Sequence, residues 1–131
     1  MLFKDLNHWT RGWVDWNMAL DMTGGPSWTH GRLSSPIYVN ATSKEYQKEP
    51  IFYILGHFSK FLVPDSVRVE LKMQSKIDKL YATAFERPDK QIVLIVANMN
   101  NEQIELNINE PKSGHLNTKI SAHSIQSYIW K

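Results

Sequence analysis

From Ser66 to the C-terminus, apolar and polar positions alternate. Val67, Val69, Leu71 and Met73 share one phase, as do Leu80, Ala82 and Ala84, and again Ile104, Leu106 and Ile108. Successive side chains point to opposite faces of a strand, so a period of two predicts short strands with one covered face. Gln91–Ala97 breaks the alternation with a nearly continuous apolar run, as expected of a central strand. Arg87-Pro88-Asp89-Lys90 and Asn98-Met99-Asn100-Asn101 supply turn chemistry between strands. Ser121–Ser124 leads into a last strand over Ile125–Trp130. Five or six antiparallel strands at this spacing predict a mainly β fold, a β-sandwich or half of one over residues 66–131.

Upstream the period lengthens. Ile51, Ile54, Leu55, Phe58, Phe61 and Leu62 recur at helical spacing, Pro50 suits a first helical turn, and Pro64 stops the pattern. Burying all six side chains would contribute on the order of 10 kcal/mol, at about 1.5–3 each, but only against a surface that receives them. Left exposed, the same stripe is adhesive.

The first 46 residues are less regular. Met1–Arg11 reads as a polar lead. Gly12–Asn17 reads as a strand with bulk on both faces, Gly12, Val14 and Trp16 pointing one way and Trp13, Asp15 and Asn17 the other. Ala19–Tyr46 is rich in Gly, Pro, Ser and Thr around a short Pro36–Val39 strand, and reads as loop with a small antiparallel sheet.

Composition sharpens that region. Four of the five tryptophans, Trp9, Trp13, Trp16 and Trp28, fall in the first 28 residues, interleaved with small, carboxylic and amide side chains. An indole face beside Asp15 and Asn17 fits a sugar ring, which offers C–H patches to the aromatic plane and hydroxyls to the polar neighbours. The same tryptophans would serve equally as packing anchors. Lys and Arg total 15 against 13 for Asp and Glu, a net charge of +2 with no basic run, so nucleic acid is not an expected partner. Without cysteine there is no disulfide framework or thiolate metal site to argue. His8, His30, His57, His115 and His123 lack metal-ligand spacing, and no phosphate loop, dinucleotide fingerprint or Ser-His-Asp elbow occurs, so neither metal nor cofactor is expected. No apolar stretch approaches the roughly 20 residues of a membrane span, and Met1–Asp5 does not read as a signal peptide.

Gly12–Leu20, Gly24-Gly25-Pro26-Ser27-Trp28, Ser35-Pro36-Ile37 and Phe52–Phe61 together resemble the C-terminal part of the glucosylceramidases of glycoside hydrolase family thirty. The resemblance runs in order from about Asp5 to Trp130. It implies that residues 1–65 are the end of a TIM-type β/α barrel, with Gly12–Asn17 as the eighth strand and the Pro50 helix as the last helix, and that 66–131 is the sandwich that follows. In the family that sandwich is completed by strands from the N-terminal part of the protein. It further implies a retaining β-glucosidase acting on glucosylceramide, a lysosomal or secretory location, a saposin-type activator and an anionic membrane surface as partners.

Retaining glycosidases use two carboxylates about 5 Å apart. The resemblance places both, as glutamates, on barrel strands four and seven, upstream of Met1. A barrel needs about 250 residues, and this sequence has 131. None of Glu45, Glu49, Glu70, Glu86, Glu102, Glu105 and Glu110 is therefore expected to be catalytic. By resemblance Trp16 lies beside the glucose ring, while Asp15 and Asn17 hold loops through hydrogen bonds. The family's pocket asparagine before Ser-Pro-Ile is replaced in His30-Gly31-Arg32 by Gly31, which has no side-chain donor. Asn40-Ala41-Thr42 is an N-glycosylation sequon, meaningful in the secretory pathway. Two readings follow: the C-terminal portion of a glucosylceramidase, with the barrel portion required for activity, or a non-catalytic β-sandwich binding module from a truncated or degenerate copy.

Overall fold

The computed structural model describes residues 2–28 and 33–131. They fall into two compact units, Met1–Arg11 with His57–Lys131, and Gly12–Gly56.

The first unit is built around β6, Ile92–Asn98. Its neighbours are β5 (Leu80–Glu86) and β9 (Ser124–Trp130), and a short β4 (Val67–Val69) completes an antiparallel sheet in the order β4-β5-β6-β9. The apolar run of β6 has a partner on each face. Val93, Ile95 and Ala97 point to one side, where they meet Phe3 and Phe58. Leu94 and Val96 point to the other, toward Ile120 and the apolar positions of a second layer, the antiparallel pair β7 (Ile104–Glu110) and β8 (Gly114–Ile120). Alternation along one strand thus fills two cores, which is why no polar residue interrupts it.

The mainly β architecture is the expected one, with differences in its local detail. Residues 2–11 are not merely a polar lead: Leu2–Asn7 forms α1, and buried Phe3 meets Phe58 edge to face with ring centroids 5.1 Å apart. The alternation at Leu71 and Met73 does not extend β4, and both side chains are exposed. Asn7 of α1 explains the early end, because its carboxamide donates to the Ala82 carbonyl at 3.0 Å and accepts from the Thr83 hydroxyl at 2.9 Å, holding the stretch of β5 beyond the Val69–Ala84 pair. Finally, β8 forms from Gly-His-Leu-Asn-Thr-Lys-Ile, a segment with little apolar pattern, through its pairing with β7.

Asn98, read from sequence as a turn residue, is the fully buried end of β6. Its Nδ2 donates to the carbonyls of Glu102 (2.7 Å), Ile120 (3.3 Å) and Ser121 (3.1 Å), and its Oδ1 accepts from the Asn100 amide at 2.9 Å. One side chain thereby ties the central strand, the turn after it and the end of β8.

The second unit carries a three-stranded sheet of β1 (Ala19–Asp21), β2 (Ile37–Asn40) and β3 (Glu45–Lys48). It is mixed rather than antiparallel, β1 running parallel to β2 and β2 antiparallel to β3. Helix α2, Pro50–Ser59, begins at the expected proline. Phe58, near its end, is buried in the first unit's core, whereas Ile51, Tyr53 and Ile54 are exposed, so the six-residue stripe is only partly covered.

Candidate functional site

The Gly12–Asn17 segment, expected as a strand, forms no ladder; the first strand of the chain starts at Ala19. A strand is stable only where neighbours take its N–H and C=O groups, and no described segment pairs with it. Its shape is instead set locally. Asp15 turns its carboxylate back to accept the Trp16 amide at 2.9 Å. Asn17 takes the left-handed conformation, φ 51°, which Asn tolerates better than most residues and which redirects the chain into β1. The candidate sugar-binding residue Trp16 is left 76% exposed, and Val14, Met18 and Trp28 are exposed as well. Trp13, Trp16 and Trp28 belong to this unit. Trp9 belongs to the other, where the Arg68 guanidinium lies over its ring at 5.3 Å.

The loop that presents these side chains is organised by Asp21, a residue the pattern of the sequence did not single out. One oxygen of its carboxylate accepts the Thr23 hydroxyl (2.6 Å), the Gly25 amide (2.9 Å) and the Thr23 amide (2.8 Å). These bonds, led by the Thr23 hydroxyl, hold the carboxyl below its ordinary range. The Asp21 amide in turn donates to the Gly25 carbonyl at 2.7 Å. The signal was present in Asp-Met-Thr-Gly-Gly, since an Asp followed by Thr and Gly is the makings of an Asx turn. The Gly31 substitution in His30-Gly31-Arg32 lies outside the described residues.

Among the described residues, five of the seven glutamates have a side-chain hydrogen bond or ion pair. Glu86 is held below its usual range by a hydrogen bond and ion pair with Lys90 at 2.8 Å. Partial desolvation pushes Glu110 up, but bonds from Ser113 and Lys112 outweigh it and lower the carboxyl on balance. Glu105 pairs with Lys119 at 3.3 Å, Glu70 with Lys72 at 3.6 Å, and Glu49 accepts from Gln47 at 2.8 Å. A glycosidase's general acid needs a raised pKa, whereas the Glu86 and Glu110 carboxyls are both lowered. Among the described residues no group of His, Asp and Glu has the arrangement of a metal site.

Residues 1–62 match the TIM-barrel domain of glycosyl hydrolase family 30, and residues 65–128 match the beta sandwich domain of the same family. The chain belongs to glycosyl hydrolase family 30. It is 39% identical over 130 residues to the lysosomal acid glucosylceramidase of Mus musculus, covering 99% of this chain and 25% of that protein. It is 35% identical over 130 residues to the putative glucosylceramidase 3 of Caenorhabditis elegans, again covering 25% of the relative. The chain thus spans about a quarter of the length of the curated relatives it matches. Among solved structures, an endo-β-1,6-glucanase superposes with a TM-score of 0.87 at 23% identity, covering 98% of this chain and 29% of that one, a likeness of fold. The Gly12–Asn17 segment lies within the part matched to the barrel domain.

Proposed function

We propose that this chain is the C-terminal portion of a retaining β-glucosidase of the glucosylceramidase type, which hydrolyses glucosylceramide in sphingolipid metabolism and works in the lysosome. The observation that carries the reading is the 39% identity to a lysosomal acid glucosylceramidase across 99% of the chain, through barrel end and sandwich alike. In this reading the two catalytic glutamates belong to the barrel portion, and residues 1–131 alone are inactive. Trp16 supplies an aromatic wall for the glucose ring, Asp15 and Asn17 fix the turn that presents it, and the division between barrel end and sandwich falls near residues 65 and 66. The exposure of Trp16 and the 2.9 Å bond from its amide to the Asp15 carboxylate support that role. A saposin-type activator and an anionic membrane surface belong to the same proposal for the whole protein.

The test joins residues 1–131 to the preceding barrel of the mouse relative and compares the hybrid with residues 1–131 alone on a fluorogenic β-glucoside. Turnover is expected from the hybrid only. Turnover by residues 1–131 alone overturns the assignment of the glutamates, and a folded but inert hybrid overturns the glucosidase reading. In the active hybrid Trp16→Ala is expected to raise KM, since an aromatic stacking contact contributes about 0.5–1.5 kcal/mol. An unchanged KM removes Trp16 from the sugar site. A non-catalytic sandwich module is the second reading, favoured by the first unit's own closed cores.

A further inference from the structure

We propose that Asn40 is the acceptor of an N-linked glycan; the inference deepens the secretory-route reading above and rests on it. The motif Asn40-Ala41-Thr42 has the residue types an N-glycosylation acceptor requires. Such tripeptides are read on accessible turns; Asn40 itself is half-buried at the end of β2, and residues 41–44 of the turn it opens are exposed. Asn40 is the last residue of β2, residues 41–44 are the turn, and Lys44 closes it in the left-handed conformation with φ 57°. Thr42 is exposed, and every residue of β3, the edge strand that follows, is exposed too.

The side chain is also oriented for the reaction. Asn40 Oδ1 accepts the amides of Thr42 (3.1 Å) and Ser43 (3.2 Å), an Asx turn that fixes the carboxamide plane. With the oxygen committed to the turn, Nδ2 is directed away from it and donates to no group among the described residues. The two bonds to the carbonyl oxygen draw electron density from the amide and make its N–H more acidic. The co-substrate is a lipid-linked oligosaccharide pyrophosphate. Nδ2 attacks C1 of its reducing-end sugar, the N–C1 bond forms as the C1–O bond breaks, the lipid pyrophosphate leaves with the electron pair, and the Nδ2 proton passes to a base of the transferase.

The position has a physical consequence. Asn40 and Ala41 border an open hollow of about 600 Å³ on the β1-β2-β3 sheet, lined also by Ile37, Val39 and Tyr46. A glycan at this rim stands beside exposed apolar side chains of Val39 and Tyr46, where its bulk and hydration oppose association through that face.

The experiment expresses the full chain in animal cells behind a cleavable secretory leader, with a reporter sequon on a flexible C-terminal tail. Peptide N-glycosidase sensitivity is then read by mass. Two glycans are expected on the wild type and one on Asn40→Asp, which keeps the turn-closing oxygen but loses the nucleophilic nitrogen. Thr42→Ala is expected to carry one, and Thr42→Ser two. A wild-type chain glycosylated at the reporter alone overturns the proposal. Because the leader enforces the route and the reporter proves it, that failure is separate from failure of the glucosidase reading, which the hybrid's activity decides.

Discussion

At the scale of single residues, most of the polar side chains that matter are tethers rather than reagents. Asn98 gathers three carbonyls and one amide in a site fully closed to water, Asp21 gathers three donors into one loop, and His57 joins helix α2 to strand β9. The last of these is sensitive to pH. His57 Nδ1 and Ser127 Oγ share a hydrogen bond at 2.8 Å, and burial lowers the imidazole pKa from its ordinary value near 6.5. Burial disfavours the charged ring, so the folded chain binds this proton less readily than the unfolded chain does. Where the unfolded state binds more protons, stability rises with pH. The His57 contribution is therefore present above the unfolded value, about 6.5, and is lost as pH falls through the depressed folded pKa. Urea unfolding midpoints of the wild type are expected to decline across that window, and those of His57→Gln to decline less. Equal declines in the two proteins would show that His57 is not the group responsible.

At the scale of elements, α2 separates what a helix gains from this chain from what it leaves open. Its sequence stripe was legible because Ile51, Ile54, Leu55 and Phe58 recur at helical spacing and Pro50 marks its start, but the helix ends at Ser59, so Phe61, Leu62 and the expected stop at Pro64 lie beyond it. Periodicity states which side chains share a face; it does not state whether anything covers that face. Phe58 packs on Phe3 in a closed core, while Ile51 and Ile54 stand exposed. Phe58→Ala is expected to cost about 3–5 kcal/mol by the cavity it opens, whereas Ile54→Ala should stay within about 0.5 kcal/mol. Denaturant unfolding of the two variants checks the contrast, and a comparable loss from both would mean that the exposed face is covered in solution. The same distinction explains the strands. β5, β6, β7 and β9 were legible because each carries its own apolar pattern, whereas β8 depends on register with β7 and Gly12–Asn17 depends on partners that its own residues cannot supply. Of the candidate site, Trp16, Asp15 and Asn17 were singled out from the sequence, whereas the Asp21 loop was not, although Asp-Met-Thr-Gly-Gly carried its turn signal among residues read only as loop.

At the scale of the whole molecule, stability is unevenly distributed, and the division does not follow the order of the chain. The first unit draws Leu2–Asn7 onto the same sheet as residues far along the sequence, with Phe3 placed among Phe58, Val93, Ile95 and Ala97. Between them run Gly12–Asn17, whose amides join no ladder, and the short strands of a three-stranded sheet whose β3 is wholly exposed. Amides open with free energies that track local burial and hydrogen bonding, up to the global value in a core strand. Hydrogen exchange is therefore expected to be slowest in β5, β6 and β9, measurably slowed in α1, and fastest over residues 12–18. Protection of α1 is the decisive part. A freely exchanging α1 beside a protected β6 would detach the N-terminal helix from the core. Slow exchange over residues 12–18 would show that the segment finds a pairing partner in solution, as through self-association of the exposed tryptophan-bearing surface. If instead protection over residues 12–18 appears only after fusion to the barrel of the mouse relative, the segment's strand character belongs to the complete barrel.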